Sequence, residues 1–91
     1  MTIVGMLQGI GALSVPGRAE IEVDYSINVD RAHGRMSADG YVDGDTIELF
    51  EAMKAPFAKL RLKCGNEITV VIIKLTADGA QLQVSGPVPG Y

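Results

Sequence analysis

Apolar and polar residues alternate without interruption over residues 19–30. Ile21, Val23, Tyr25, Ile27 and Val29 share one parity, and Glu20, Glu22, Asp24, Ser26, Asn28 and Asp30 share the other. Successive side chains of a strand face opposite sides of a sheet, so this pattern predicts a half-buried β-strand with an acidic outer stripe. A second alternation, of opposite charge, follows at residues 59–64, where Lys59, Arg61 and Lys63 interleave with Leu60, Leu62 and Cys64. The two stripes are expected to lie as charge-matched faces of one sheet, each cross-strand pair contributing a few tenths of a kcal/mol.

The punctuation between these runs predicts the remaining elements. Residues 3–13 read as a first strand. It is joined to the alternating strand by Val15-Pro16-Gly17-Arg18, in which proline presets φ at the second position of a type II turn and glycine takes positive φ at the third. Residues 31–34 form a hairpin connection into a third strand over 35–42, closed or bulged by Asp39-Gly40 and Asp43-Gly44. Asp45 then caps a helix of about ten residues, with Glu48 in the capping-box position and Pro56 as its stop. On a helical wheel Ile47, Leu49, Phe50 and Met53 fall in one arc, which is expected to lie against the sheet.

A three-stranded meander completes the chain, over residues 58–64, 67–76 and 80–85, with turns at Gly65-Asn66 and Asp78-Gly79. Its middle strand is β-branched and apolar on both faces, as in a central strand covered on both sides, with one face covered by the helix or by a partner subunit. The fold expected is mainly β: a small antiparallel β-barrel or two-layer roll of about six strands, with one short α-helix between the third and fourth. Residues 1–86 form a single domain. Residues 87–91, with two prolines, form an extended C-terminal tail whose Tyr91 is loose or docked on a neighbour.

Composition narrows the function. The chain has 91 residues, of which 47% are hydrophobic and 21% charged, the balance of a folded globular protein. A chain of this size buries only roughly 60–65% of its unfolded surface, so covering a further face in a homo-oligomer would help. The net charge of −3 argues against whole-surface attraction to nucleic acid or anionic membranes. One cysteine rules out an internal disulfide and points to a reducing, cytoplasmic setting. The first 17 residues carry no charged side chain, but they lack a basic leader, are broken by Gly5, Gly9 and Gly11, and hold Gln8 at their centre. They read as a buried or interfacial strand rather than a signal peptide or membrane span.

Candidate chemistry is sparse. Glu20, Glu22 and Asp24 form an acidic face whose flat row diverges instead of converging on a cation. Asp39, Asp43 and Asp45 lack the spacing of a calcium loop, and turn and capping chemistry accounts for all three. His33 is the sole histidine, in a turn, and Cys64 is expected as a buried, inert thiol. No nucleophile motif or phosphate-cradling loop is present; Gly9 and Gly11 instead leave one strand face bare for a close-packed neighbour. Catalytic, metal and cofactor sites are therefore expected to be absent.

The basic row Lys59, Arg61 and Lys63 is the candidate contact for a polyanion or protein partner. Single-stranded nucleic acid is the less favoured ligand, since only Phe57 stands near these residues as a stacking platform. The leading expectation is a non-enzymatic interaction or assembly module that self-associates, with a homo-oligomer or another protein as partner and no membrane role. The alternatives are a nucleic-acid or polyanion binder using the basic row, and a small-ligand or cation binder using the acidic face.

Overall fold

The elements form in the expected order. The computed structural model describes residues 2–86 and Val88. It contains β1 (Thr2–Ser14), β2 (Ile21–Ala32), β3 (Arg35–Asp43), α1 (Thr46–Met53), β4 (Ala58–Arg61), β5 (Glu67–Leu75) and β6 (Gly79–Val84). All neighbours are antiparallel, and the strands close into a barrel in the order β1-β2-β3-β6-β5-β4. Two three-stranded meanders, joined by α1, thus meet along the seams β3–β6 and β1–β4.

The turns follow local chemistry. Arg18 N–H donates to the Val15 carbonyl at 3.1 Å, closing the turn at Pro16-Gly17. The β2–β3 hairpin turns on His33 and Gly34, at φ 53° and 76°. Positive φ at both central residues is the type I′ pattern, whose twist matches that of the flanking strands. Asp45 caps α1, its Oδ1 accepting from the N–H groups of Ile47 (2.9 Å) and Glu48 (3.1 Å).

The core is the inward parity of the strands. Leu13, Val23, Ile27, Val29, Val42, Leu60, Ile68, Val70 and Leu82 are buried together, with Leu49 of α1 among them. Strong coiling closes so small a barrel, and it leaves no room for side chains at two corners. A Cβ on Gly40 would run into the Ser26 carbonyl of β2, and one on Gly79 into the Val42 carbonyl of β3.

Four details differ from the sequence reading. Helix α1 turns Leu49 and Ala52 inward and leaves Ile47, Phe50 and Met53 exposed. A short helix packed against β5 and β6 inserts only one narrow row, here Leu49 and Ala52. Strand β4 ends at Arg61 rather than 64. There Leu62 N–H donates to the Asn66 carbonyl and Gly65 N–H to the Leu62 carbonyl, pulling the chain out of register. Cys64 consequently sits exposed in this turn instead of buried. On β5, Ile68, Val70 and Ile72 are buried, but Val71 and the bulged Ile73 lie open within this chain. Of the expected tail, Val88 is described and is buried with the core, while Pro87 and residues 89–91, Tyr91 included, lie outside the described residues.

Candidate functional site

The barrel closes along only part of β1. Ala12, Leu13 and Ser14 pair with Arg61, Leu60 and Lys59 of β4. Residues 2–11 pair with β2 alone, so one side of β1 carries no strand partner over about 34 Å at a strand rise of 3.4 Å per residue, although the chain leaving β4 passes against Gly9 and Gly11. On the far side of the same sheet, β3 meets β6 only at Asp39–Asp43 and leaves residues 35–38 unpaired laterally. The β1–β2–β3 sheet therefore projects beyond the barrel, giving a molecule 36 Å long and 21 Å thin.

Natural sheets blunt such edges with charge, proline or a bulge. Residues 2–14 contain no charged residue and no proline. The one irregularity is at Val4, where the pairing to β2 shifts between Ile3 and Gly5. From Gly5 to Leu13 the ladder is regular, and its outward side chains Met6 and Ile10 are 53% and 58% exposed.

The inner side of this strand explains its glycines. A Cβ on Gly9 would lie 3.1 Å from the Tyr25 hydroxyl and 3.2 Å from Lys63 Cβ, and one on Gly11 would strike the Arg61 carbonyl. Tyr25 is paired with Gly9 across the ladder, and its buried ring passes beneath both glycines. Its hydroxyl accepts from Lys63 N–H at 2.9 Å, capping the chain as it leaves β4. The bare strand face is thus filled from within by Tyr25. Met6, Leu7 and Gln8 with Tyr25, Leu62, Lys63 and Cys64 line an open groove of about 500 Å³ beside the free edge.

The charged rows are not adjacent strands, because β1 lies between β2 and β4. The structure brings together one pair from them. Arg61 holds Glu20 in a two-pronged contact, Nη1–Oε2 at 2.8 Å and Nη2–Oε1 at 3.1 Å. Both side chains are about half exposed, so this contact contributes at most on the order of 1 kcal/mol. Lys59 instead donates to the Thr69 hydroxyl at 2.8 Å and stands 5.9 Å from the Phe57 ring centroid. With Arg61 engaged by Glu20, and Lys63 in the turn after β4, the three cations are not one free patch. Glu22 and Asp24 lie on the outer face of β2, where Asp24 faces Asp43 of β3 directly. Among the described residues no group of three or more His, Cys, Asp or Glu side chains could hold a metal ion.

A smaller cleft of about 250 Å³ lies between α1 and the β1–β2 turn, lined by Val15, Ile21, Ile47 and Ala52 among others. Arg18 reaches Glu51 there at 3.4 Å. No helix of the described residues is long and apolar enough to cross a membrane. The open β1 edge escaped the sequence reading, because it depends on where β4 ends. The signal available in advance was an uncharged 13-residue strand carrying Met6, Gln8 and Ile10 on one parity and glycines on the other. Comparison with protein-family models finds no match, and neither does comparison with curated proteins or with solved structures.

Proposed function

We propose that this chain is a non-enzymatic assembly module that self-associates. The observation that carries the reading is the open, uncharged edge of β1 over residues 2–11. Unpaired strand edges recruit further strands through main-chain hydrogen bonds, and apolar flanking side chains add burial. Ile3, Met6 and Ile10 supply that flank here. The free, exposed thiol of Cys64 supports a reducing, cytoplasmic setting as part of this reading.

A single added strand makes a small interface, in the class below about 1,200 Å² that characterises weak or transient association. Self-association is accordingly expected at high micromolar rather than nanomolar concentration. Sedimentation velocity across that range tests the reading. A weight-average mass that rises with concentration supports it, and a monomer throughout removes it.

A further inference from the structure

We infer that the occupant of the open β1 edge is the same edge of a second copy, in an antiparallel two-fold pair centred on Gln8. The inference rests on the assembly reading and names its partner and register.

The choice of a second copy follows from the edges this fold leaves open. Strand β4 is flanked by β1 and β5, and the far side of β6 is taken by β3. Strand β5 beyond Val70 has no strand partner on its β4 side, but it carries Lys74 and the bulge at Ile73, and α1 packs against β5. The free part of β3 spans only residues 35–38 and begins with Arg35. Joining β1 of one molecule to β3 of another would be a head-to-tail contact that does not close on itself, whereas β1 against β1 closes as a dimer. The absence of charge on β1 means that two copies meet without like-charge repulsion.

The register follows from three constraints. A two-fold axis perpendicular to the sheet keeps outward side chains outward, so a residue at the centre must face its own copy. The regular, laterally unpaired segment runs from Gly5, just past the Val4 irregularity, to Gly11, just before the β4 pairing begins at Ala12. Its midpoint is Gln8. In this register Met6 lies opposite the partner's Ile10 twice, covering the two exposed apolar outward side chains of the segment. Leu7 lies opposite the partner's Gly9, where the flexible Lys63 side chain has to swing aside to admit it. Beyond Gly5, a straight partner strand would collide with β4 at Arg61. The irregularity at Val4 bends the chain at that point.

The test is disulfide trapping of the full chain in a Cys64→Ser background, read together with sedimentation velocity. Gln8→Cys is expected to give a covalent dimer on mild oxidation, because directly opposed strand residues have Cα atoms about 4.5–5.5 Å apart, within disulfide reach. Ile47→Cys on α1 is expected to give none. Met6→Lys is expected to weaken association at least about tenfold with an unchanged circular dichroism spectrum.

A chain that stays monomeric at high micromolar concentration overturns this pairing and the assembly reading together. A chain that associates, yet traps no dimer at residue 8 and is indifferent to Met6→Lys, overturns the pairing and leaves the assembly reading standing. Trapping through Ile47→Cys alone would reassign the contact to the helix face. Hydrogen exchange on the unsubstituted chain needs no variant. Concentration-dependent protection of residues 5–11 supports the pairing, and its absence in an associating sample refutes it.

Discussion

Tyr25 shows how much one residue can organise in a small barrel. Its ring occupies space that side chains at Gly9 and Gly11 would claim, and its hydroxyl caps the Lys63 amide. Alternation alone places Tyr25 inward and marks the glycines as a bare face. That the two features fit each other depends on the β1–β2 register, which no local pattern reveals. Gly11→Ala is expected to destabilise by about 2 kcal/mol or more, since the new Cβ meets backbone that cannot swing aside. Tyr25→Phe should cost about 1 kcal/mol by leaving the Lys63 N–H without its acceptor. Urea midpoints at constant m-value measure both. His33 offers the opposite case: a non-glycine residue at φ 53° in a type I′ turn. His33→Asn creates the Asn-Gly pair this turn favours, and is expected to stabilise by about 0.5 kcal/mol in the same assay.

At the scale of elements, what the sequence shows depends on the length of each pattern. Strand β2 carries an alternation long enough to leave one reading, and its inward residues are buried, but Asp30 of the polar parity is buried as well. Helix α1 has eight residues, little more than two turns, and a wheel drawn over so few positions gathers Ile47, Leu49, Phe50 and Met53 into one arc. Packing separates them: Leu49 is fully buried, while Phe50 is 48% exposed. Leu49→Ala is therefore expected to cost about 2–5 kcal/mol. Phe50→Ala should cost well under 1 kcal/mol, losing little beyond the contact with Lys54, whose Nζ lies 5.0 Å from its ring centroid. Comparable losses from the two substitutions in thermal unfolding would contradict this orientation. Strand β4 was misjudged for a related reason. The basic alternation runs on through Cys64, but hydrogen bonds among Leu62, Gly65 and Asn66 end the strand at Arg61, and such turn bonds leave no mark on an alternating pattern.

For the whole molecule, the number of strands and the place of the helix were legible, while the seams were not. Hairpins bring neighbours in sequence together, but closing β1 on β4 and β3 on β6 depends on coiling and on core volume, which composition does not encode locally. Charge suggested that the acidic and basic rows should meet. The barrel instead places β1 between them and joins only Glu20 to Arg61. The consequence reaches beyond the barrel: its longest strand, which carries no charge, is also the one without a second partner over residues 2–11. Association through β1 would depend on main-chain hydrogen bonds and apolar contact, so it is expected to respond little to salt, whereas polyanion binding by the basic row would weaken steeply. Binding a second copy also stabilises the folded state. At ten times the dissociation constant the gain is on the order of 1.4 kcal/mol, or roughly 5–10 °C for a domain of this size. The unfolding temperature should therefore climb with protein concentration by that amount, at low and high ionic strength alike. Met6→Lys should flatten the climb without lowering the dilute-limit value by more than about 0.5 kcal/mol, the ordinary range for an exposed position.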